Sequence, residues 1–257
     1  MRTYFLTLGL FVAFAGCGSH STTTQADAAG TGIDAPGTGV DAPGTGVDAP
    51  GTATVTITIS GNASDASPNG GNGLANVAVS VLLASDNSQL ATATTDALGD
   101  YTVMVTAPGP AIDLYVKGSV ATYLDTYFYP ARPPSASTTA DLDMLDPAGV
   151  QQLSTATQGN QTAGHGLVAV VVNDAAANAV AGATVASTPA ASSYHYNDAA
   201  GNPSRTATAT AVGDGQAYLF NVPAGQVTVN ATKTGTTFFA HTLTVRADAY
   251  TTTEIAP

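Results

Sequence analysis

From residue 54 onward the chain consists of many short segments in which apolar and polar residues alternate. Thr54 to Ile59 alternates threonine with aliphatic residues, and Val77 to Leu83 and Tyr101 to Val105 show the same period of two. This period places one face of an extended strand against a core and the other in solvent. Turn-forming Gly, Pro, Asn and Asp separate the segments. The pattern predicts an all-β protein with about seven short strands in each half.

The strand pattern occurs twice along the chain. Two glycine-bearing turns, at Gly99 and Gly215, each lead into an apolar segment. In both copies a second glycine stands ten residues later and a lysine eighteen residues later. These are Gly109 and Lys117 after Gly99, and Gly225 and Lys233 after Gly215. A further match upstream pairs Leu74–Val79 with Val180–Val185. Because a fixed internal spacing is typical of repeated structural units, we predict two tandem antiparallel β-sandwich domains, at residues 54–146 and 165–257.

Residues 147–164 are predicted to form a helical connector between the two domains. Asp146 suits the N-cap of a helix, and Pro147 suits its first helical position. Val150 and Leu153 would then lie on one side of two to three helical turns. The run from Gly159 to Gly164 returns to a loop composition.

The first sixteen residues have the form of a secretory signal peptide. Arg2 precedes an apolar run from Tyr4 to Phe14 that is too short to span a bilayer. Phe14-Ala15-Gly16-Cys17 resembles the bacterial lipoprotein box, which implies that Cys17 is lipidated and becomes the mature N-terminus. Cys17 is the only cysteine, so it cannot form an internal disulfide. The alternative is an ordinary signal cleavage site with a cysteine nearby by chance.

Residues 17–53 are predicted to be a disordered tether. Three consecutive heptads from Ile33 to Ala53 each hold one isolated aliphatic residue and one proline, and this composition excludes a helix or a coiled coil. As a flexible coil the tether would span roughly 30–35 Å. Gly18, by analogy with enterobacterial sorting, does not signal retention in the inner membrane. We therefore expect a lipid-anchored protein of the cell envelope, at the outer membrane.

Composition narrows the classes of partner. The chain holds 6 basic and 18 acidic residues, a net charge of −12, which argues against binding to nucleic acid. The expected partners are the membrane, through the lipid anchor, and an envelope glycan or protein. No cofactor is expected.

Three segments of the second half carry a family resemblance. They are Val180–Val185, Gly213–Tyr218 and Val222–Val229, and in this order they resemble the carboxypeptidase regulatory-like domain of the transthyretin-like sandwich group. The first half resembles it more loosely, through Thr95 to Tyr101, and lacks the Pro-Ala-Gly turn at Pro108–Pro110. The resemblance implies a β-sandwich that serves as a non-catalytic folding, spacing or binding module.

One candidate ligand-binding surface is an aromatic strand. In a strand over Thr122–Tyr129, one face would carry Tyr123, Asp125, Tyr127 and Tyr129. Flat rings beside a carboxylate suit a sugar or peptide, because they supply contact area at small entropic cost. The alternative is that these tyrosines pack beneath neighbouring loops.

A second candidate is the segment that makes the second repeat ten residues longer than the first. It contains Tyr194, His195 and Tyr196, which we assign either to ligand binding or to packing of the inserted loop with His195 in solvent. Together with His241 these residues also suggest an iron dioxygenase, but the paired His-x-His of those enzymes is missing. Asp141 and Asp143 could contribute to a calcium site, but alternate acidic residues on an exposed strand face explain them better.

No catalytic residues and no metal site are predicted, because the chain has no Gly-x-Ser-x-Gly, no His-Glu-x-x-His and no phosphate-binding loop. The sequence favours a non-catalytic, lipid-anchored envelope protein that presents β-sandwich modules for structural or adhesive contacts. The alternative is a carbohydrate- or peptide-binding lipoprotein that uses an exposed tyrosine face.

Overall fold

The structure, a computed structural model, describes residues 53–67 and 70–257. It consists mainly of β-strands. The predicted signal peptide and the predicted lipidation site Cys17 lie outside the described residues, as does the predicted tether up to residue 52. The strands of the first half are β1 Thr54–Asp65, β2 Ala78–Leu83, β3 Gln89–Thr94, β4 Asp100–Pro108, β5 Leu114–Ser119, β6 Thr126–Tyr129, β7 Thr138–Thr139 and β8 Leu142–Met144. The prediction of an all-β sandwich fold is confirmed.

The second half begins with a helix and continues in strands. Its elements are α1 Pro147–Thr157, β9 Gly166–Val172, β10 Thr184–Thr188, β11 Ser193–Asn197, β12 Pro203–Ser204, β13 Gln216–Val222, β14 Gly225–Thr232, β15 His241–Val245 and β16 Tyr250–Ile255. Asp146 caps α1 by accepting a hydrogen bond from the Gly149 N–H at 2.6 Å, which confirms the predicted helix start. In the described residues no helix is both long and apolar enough to cross a membrane.

The described strands form three sheets. β1 lies between β4 and the short strands β7 and β8, and β14 lies between β10 and β15. The largest sheet has nine strands in the order β12-β11-β13-β9-β16-β6-β5-β2-β3. Pairing is antiparallel except where β1 meets β7 and β8, and where β16 lies parallel to both β6 and β9.

The two smaller sheets pack on opposite faces of the nine-stranded sheet: the β4-β1 sheet on one face in the first half, and the β10-β14-β15 sheet on the other face in the second half. Val116 and Phe128 pack into the core beneath the β4-β1 sheet, whereas their neighbours Tyr115 and Tyr127 belong to the core beneath the β10-β14-β15 sheet. Helix α1 covers the other face of the second half, where Leu153 packs near residues of β9, β13 and β16. β9 is therefore buried on both faces, which explains its continuous aliphatic sequence.

Hydrogen bonds confirm the internal repeat. The buried Thr95 hydroxyl donates to the Leu74 carbonyl at 2.6 Å and accepts from the Val77 N–H at 2.9 Å. Thr210 makes the same two bonds, to the Val180 carbonyl at 2.6 Å and from the Ala183 N–H at 2.9 Å. Likewise the Gly99 carbonyl accepts from Ala63 and the Gly215 carbonyl from Val172. These paired contacts make β1, β2 and β4 equivalent to β9, β10 and β13.

The two halves join where strands from different repeats pair. β16 of the second repeat lies between β9 of its own repeat and β6 of the first. Within the described residues the chain is one compact unit. The boundaries at residues 146 and 165 between two domains stay a prediction.

The repeats differ in where their third strand pairs. β3 pairs with β2, whereas its counterpart β11 pairs with β13 in the other layer. The segment around Tyr194 is therefore a sheet strand rather than the inserted loop that its composition suggested, because its residues fill an edge of the nine-stranded sheet.

Candidate functional site

A large cavity in the described part of the chain lies where three parallel strands begin. Because β6, β16 and β9 run in the same direction, the loops that precede them meet at one end of the sheet. Backbone hydrogen bonds fix the loops: the Tyr250 N–H donates to the Asp125 carbonyl at 3.0 Å, and the Asp248 N–H donates to the His165 carbonyl at 3.0 Å. The cavity has a volume of about 750 Å³. We call it the parallel-strand cleft.

The cleft has apolar and polar walls. Its apolar side chains are Leu124, Pro147, Val150, Leu167, Ala163, Ala247 and Ala249, and its polar and aromatic ones are Thr122, Tyr123, Asp125, Tyr127, Gln161, Thr162, His165, Arg246 and Asp248. Such a mixture can contact the apolar face of a ligand while hydrogen bonding to its edge. In the part of the chain that the structure describes, no cluster of His, Cys, Asp or Glu could hold a metal ion.

Two residues of the cleft have a left-handed backbone conformation, which is rare for threonine and better tolerated by aspartate. Thr122 has φ 74° and Asp248 has φ 55°, both in the left-handed region. For a β-branched residue such as threonine this is a rare conformation that costs about 1–3 kcal/mol. The Asp248 carboxylate holds its turn by accepting a hydrogen bond from the Gly164 N–H at 2.8 Å. Five further non-glycine residues outside the cleft share this conformation, so only Thr122, the β-branched one among them, sets the cleft apart.

The aromatic stripe predicted at Tyr123, Asp125, Tyr127 and Tyr129 is divided in the structure. Strand β6 begins only at Thr126, because the left-handed Thr122 interrupts the extended chain. Tyr127 and Tyr129 point to one face of β6 but are only 7% and 3% exposed. Tyr123, Asp125 and Tyr127 line the cleft, whereas Tyr129 packs next to it against β15. These tyrosines therefore form a cleft wall and part of a core rather than an open platform.

Arg246, which the sequence analysis did not single out, organises this wall. Its guanidinium lies 4.0 Å from the ring centre of Tyr127 and 4.9 Å from that of Tyr115. It donates to the hydroxyls of Tyr115 at 2.9 Å and Tyr129 at 3.2 Å, and to the Thr244 carbonyl at 3.0 Å. Its burial at the end of β15 depends on tertiary structure, and the only sequence signal was the scarcity of basic residues.

Asp125 also forms an ion pair with Lys117. Lys117 Nζ is 2.6 Å from Asp125 Oδ2, and the Ser119 hydroxyl donates to Asp125 Oδ1 at 2.6 Å. Burial alone would lower the pKa of Lys117 and raise that of Asp125. The direct contacts outweigh it, so the pKa of Lys117 is raised and that of Asp125 is lowered. Both groups therefore stay charged at neutral pH. Burial also raises the pKa of Tyr127, so its hydroxyl stays neutral.

The second candidate group, Tyr194, His195 and Tyr196, lies on β11. The Tyr196 hydroxyl accepts a hydrogen bond from the Val185 N–H at 3.0 Å, and the Tyr194 hydroxyl accepts one from the Ala191 N–H at 3.0 Å. His195 belongs to the other face of the strand, where its ring meets Phe220 edge-on at 5.4 Å, so it does not point freely into solvent. These residues do not line the cleft, and Tyr196 and His195 do not converge on one site.

Comparison with known proteins gives matches of low similarity. No protein-family model matches the chain, and no curated protein matches it. Among solved structures, the Bacillus anthracis TIE protein has 11% identity and a TM-score of 0.26 over 78% of this chain and 34% of its own. The shaft pilin SpaA from Lactobacillus rhamnosus GG has 12% identity and a TM-score of 0.23 over 80% and 98%.

A streptococcal ancillary pilin has 13% identity and a TM-score of 0.26 over 79% of this chain and 62% of its own. This chain thus spans about a third of the TIE protein that it matches. At these TM-scores the similarity is limited to β-rich segments, and it supports no inference about activity. The resemblance to the carboxypeptidase regulatory-like family is not supported by a family match.

Proposed function

We propose that this chain is a non-catalytic envelope lipoprotein, anchored through Cys17, that presents carboxypeptidase regulatory-like sandwiches for structural or adhesive contacts. The observation that carries the proposal is the nine-stranded sheet, which runs through both repeats. Such a sheet resists bending between the repeats and suits a module that must keep its shape. The lipobox-like segment Phe14–Cys17 and the heptads after it provide an anchor and a spacer.

The test is the intact mass of the mature N-terminus from native membranes, with a Cys17→Ala variant for comparison. We expect an acyl-bearing N-terminal cysteine in the wild type and release of the variant from the membrane fraction. Cys17 without acyl groups in a chain cleaved elsewhere would contradict the anchor. A matched Ser19→Ala variant should remain in the membrane, because Ser19 lies outside the lipobox-like segment.

A second function is supported by the parallel-strand cleft, which we propose binds an envelope glycan or a peptide. The cleft unites Tyr123, Asp125 and Tyr127, three of the residues that the sequence singled out, with Arg246. Apolar walls beside charged and hydroxyl groups suit the two faces of a sugar ring, and the same walls suit a peptide with one apolar side chain.

Binding is tested with a glycan array and a peptide array against the same protein sample. Tyr123→Leu and His165→Ala change cleft side chains that are only half-buried. We prefer them to Tyr127→Ala, which would remove a buried ring. Val212→Ala is the control, because Val212 is 79% exposed and outside the cleft. Loss of a bound probe in the cleft variants alone supports the site, and binding that survives in both variants contradicts it.

A further inference from the structure

A second concave surface lies on the face of the nine-stranded sheet that carries α1. On this face β8 packs over the first half and α1 over the second, and a strip over β16, β9 and β13 lies between them. Two cavities of about 210 and 250 Å³ occupy the strip, and both are lined by Asp143, Gln216 and Tyr250. They therefore form one groove, which we call the sheet-face groove. It shares no lining residue with the parallel-strand cleft.

The strand register explains why the sheet is concave here. In two neighbouring rows a small residue of β9 lies between longer polar residues of β16 and β13, namely Thr252-Ala169-Tyr218 and Glu254-Val171-Gln216. Because paired residues lie on the same face of a sheet, the small side chains form a floor between polar walls. Asp141 and Asp143 are exposed at the rim that β8 provides.

The groove has carboxylates but, among the described residues, no basic side chain in its lining. Desolvation, with a smaller contribution from Asp141, raises the pKa of both Asp143 and Glu254. Arg132 shares a neighbouring cavity with Glu254, but its guanidinium stacks on the Phe239 ring at 3.7 Å. No described residue forms an ion pair with the half-buried Glu254. A carboxylate that is partly removed from water is costly unless a donor or a cation meets it.

Two hydroxyl groups in the groove also lack a hydrogen-bond partner in the described part of the chain. Four buried side-chain atoms there have no partner, and of these only Thr252 Oγ1 lines the groove. Tyr250 is 3% exposed and lines both cavities, and its neighbours Tyr218 and Asp143 act on its hydroxyl without bonding to it. Because buried polar groups in proteins are normally hydrogen bonded, these oxygens are available to a ligand.

The chemistry of the groove selects a class of ligand. An ammonium group carries a positive charge and three hydrogen-bond donors, which match carboxylates and hydroxyl oxygens that lack donors. A metal ion fits less well, because no cluster of His, Cys, Asp or Glu among the described residues could hold one. The floor of Ala169 and Val171 is apolar and suits an unbranched alkyl stem, which has no polar atoms to satisfy.

We propose that the sheet-face groove binds a primary ammonium group carried on an unbranched alkyl stem. The ammonium lies between Glu254 and Asp143 beside Thr252, and the stem lies along Ala169 and Val171. A free alkylamine and the lysine side chain of a peptide present this same chemistry. The groove is separate from the lipid anchor and from the parallel-strand cleft, so the proposal stands or fails independently of both proposed functions.

The first test compares pentylamine with pentanol, its neutral analogue, by NMR titration of the isotope-labelled full-length chain in mild detergent. We expect pentylamine to shift the amides of Ala169, Val171 and Gln216 saturably, and pentanol to bind at least about tenfold more weakly because it has no charge. Equal binding of the two, or displacement of the amine by an equal concentration of calcium ions, would overturn the proposal.

A peptide with one internal lysine and blocked termini distinguishes the two sources of the ammonium group. Shifts of the same three amides by this peptide would assign the groove to a protein partner. Shifts by pentylamine alone would assign it to a small amine.

The second test changes the groove itself. Glu254→Gln removes a charge but no hydrogen bond to a described residue, so the fold should persist while pentylamine binds about tenfold more weakly. The control is Asp113→Asn, which removes the same charge from an exposed residue outside the groove and should leave binding unchanged. Binding by Glu254→Gln that equals the wild type, or an equal loss in Asp113→Asn, would overturn the proposal.

Thr252→Val separates binding from stability. It replaces an unpaired buried hydroxyl with a methyl group of similar shape, so the free energy of unfolding in urea should stay the same or rise. Pentylamine should nevertheless bind more weakly, because the ammonium loses an acceptor. A variant that binds pentylamine as tightly as the wild type would contradict the proposed position of the ammonium.

Discussion

A single cation links side chains of the two repeats. Arg246 belongs to the second repeat, yet it stacks on Tyr127 and hydrogen bonds to Tyr115 and Tyr129, which belong to the first. A guanidinium suits this position because it is planar, can stack on a ring and donates in a fixed fork. Lysine offers a point charge and cannot satisfy two tyrosine hydroxyls and the Thr244 carbonyl in the same geometry.

We therefore predict that Arg246→Lys lowers the free energy of unfolding by about 1–3 kcal/mol, because it loses a stacked contact and leaves half-buried hydroxyls without donors. Urea denaturation measures the change. The control is Arg205→Lys, at an exposed arginine, which should change stability by less than about 0.5 kcal/mol. Equal effects of the two substitutions would show that the stacked geometry does not matter.

His241 makes stability depend on pH. Its Nδ1 lies 2.9 Å from the Thr253 hydroxyl, which itself donates to the Tyr129 carbonyl, so Nδ1 must be the donor. Burial lowers the pKa of His241 below its ordinary value, although Asp113 acts in the opposite direction. Between the folded and unfolded pKa values the unfolded chain binds more protons, so folding is favoured as pH rises.

The contribution of His241 to the free energy of unfolding is complete above about pH 6.5, and it is lost as pH falls toward the folded pKa of His241. We predict that His241→Gln flattens this part of the curve of unfolding free energy against pH. Urea titrations at several pH values from about 5 to 7.5 measure it. A curve of unchanged slope would assign the effect to other groups, and titration of the imidazole by NMR would confirm the direction of the shift.

Among the elements, β11 shows how side chains can replace a missing strand. In the first repeat β3 covers the edge of β2, whereas in the second repeat β11 pairs in the other layer and leaves β10 without a neighbour. The hydroxyls of Tyr194 and Tyr196 then accept the outward N–H groups of β10. The tyrosines that the sequence offered as ligand contacts thus serve the sheet, because buried N–H groups need an acceptor.

Tyr196→Phe and Tyr194→Phe test this arrangement as a pair. Each removes one hydroxyl, keeps the ring, and leaves buried N–H groups unpaired at a cost of about 1–3 kcal/mol. Amide hydrogen exchange should accelerate at Val185 in the first variant and at Ser187 in the second. The Ala191 N–H should change less in the second variant, because it keeps the Ser187 hydroxyl as an acceptor. Each variant is the control for the other. Equal acceleration at Val185 and Ser187 in both variants would show general loosening instead of local capping.

The sequence predicted those elements whose signal is local. Strict alternation identified β1 and β4, and Asp146 with Pro147 identified the start of α1. Tertiary pairing has no such signal: nothing near Tyr250 shows that β16 lies parallel to strands of both repeats. The cleft was predictable only in part, since Tyr123 and Asp125 stand close in sequence, whereas Arg246 reaches them through the fold.

At the scale of the whole molecule, the position of β16 determines whether the two repeats unfold together or separately. A strand that pairs with β6 on one side and β9 on the other cannot leave either without breaking a ladder. Arg246 and the tyrosines beside it add contacts across the same junction. Tandem repeats that share a sheet in this way are expected to unfold together, whereas repeats on a flexible linker unfold separately.

Two equivalent threonines test this cooperativity. Thr95→Val in the first repeat and Thr210→Val in the second each delete a buried hydroxyl that bonds one carbonyl and one N–H at matching distances. Each should cost about 2–4 kcal/mol, because both partners remain buried without a replacement. If the shared sheet couples the repeats, thermal unfolding shows one transition, and either substitution lowers the same midpoint. Two transitions, each shifted by only one of the substitutions, would mean that β16 pairs with β6 too weakly to unite the repeats.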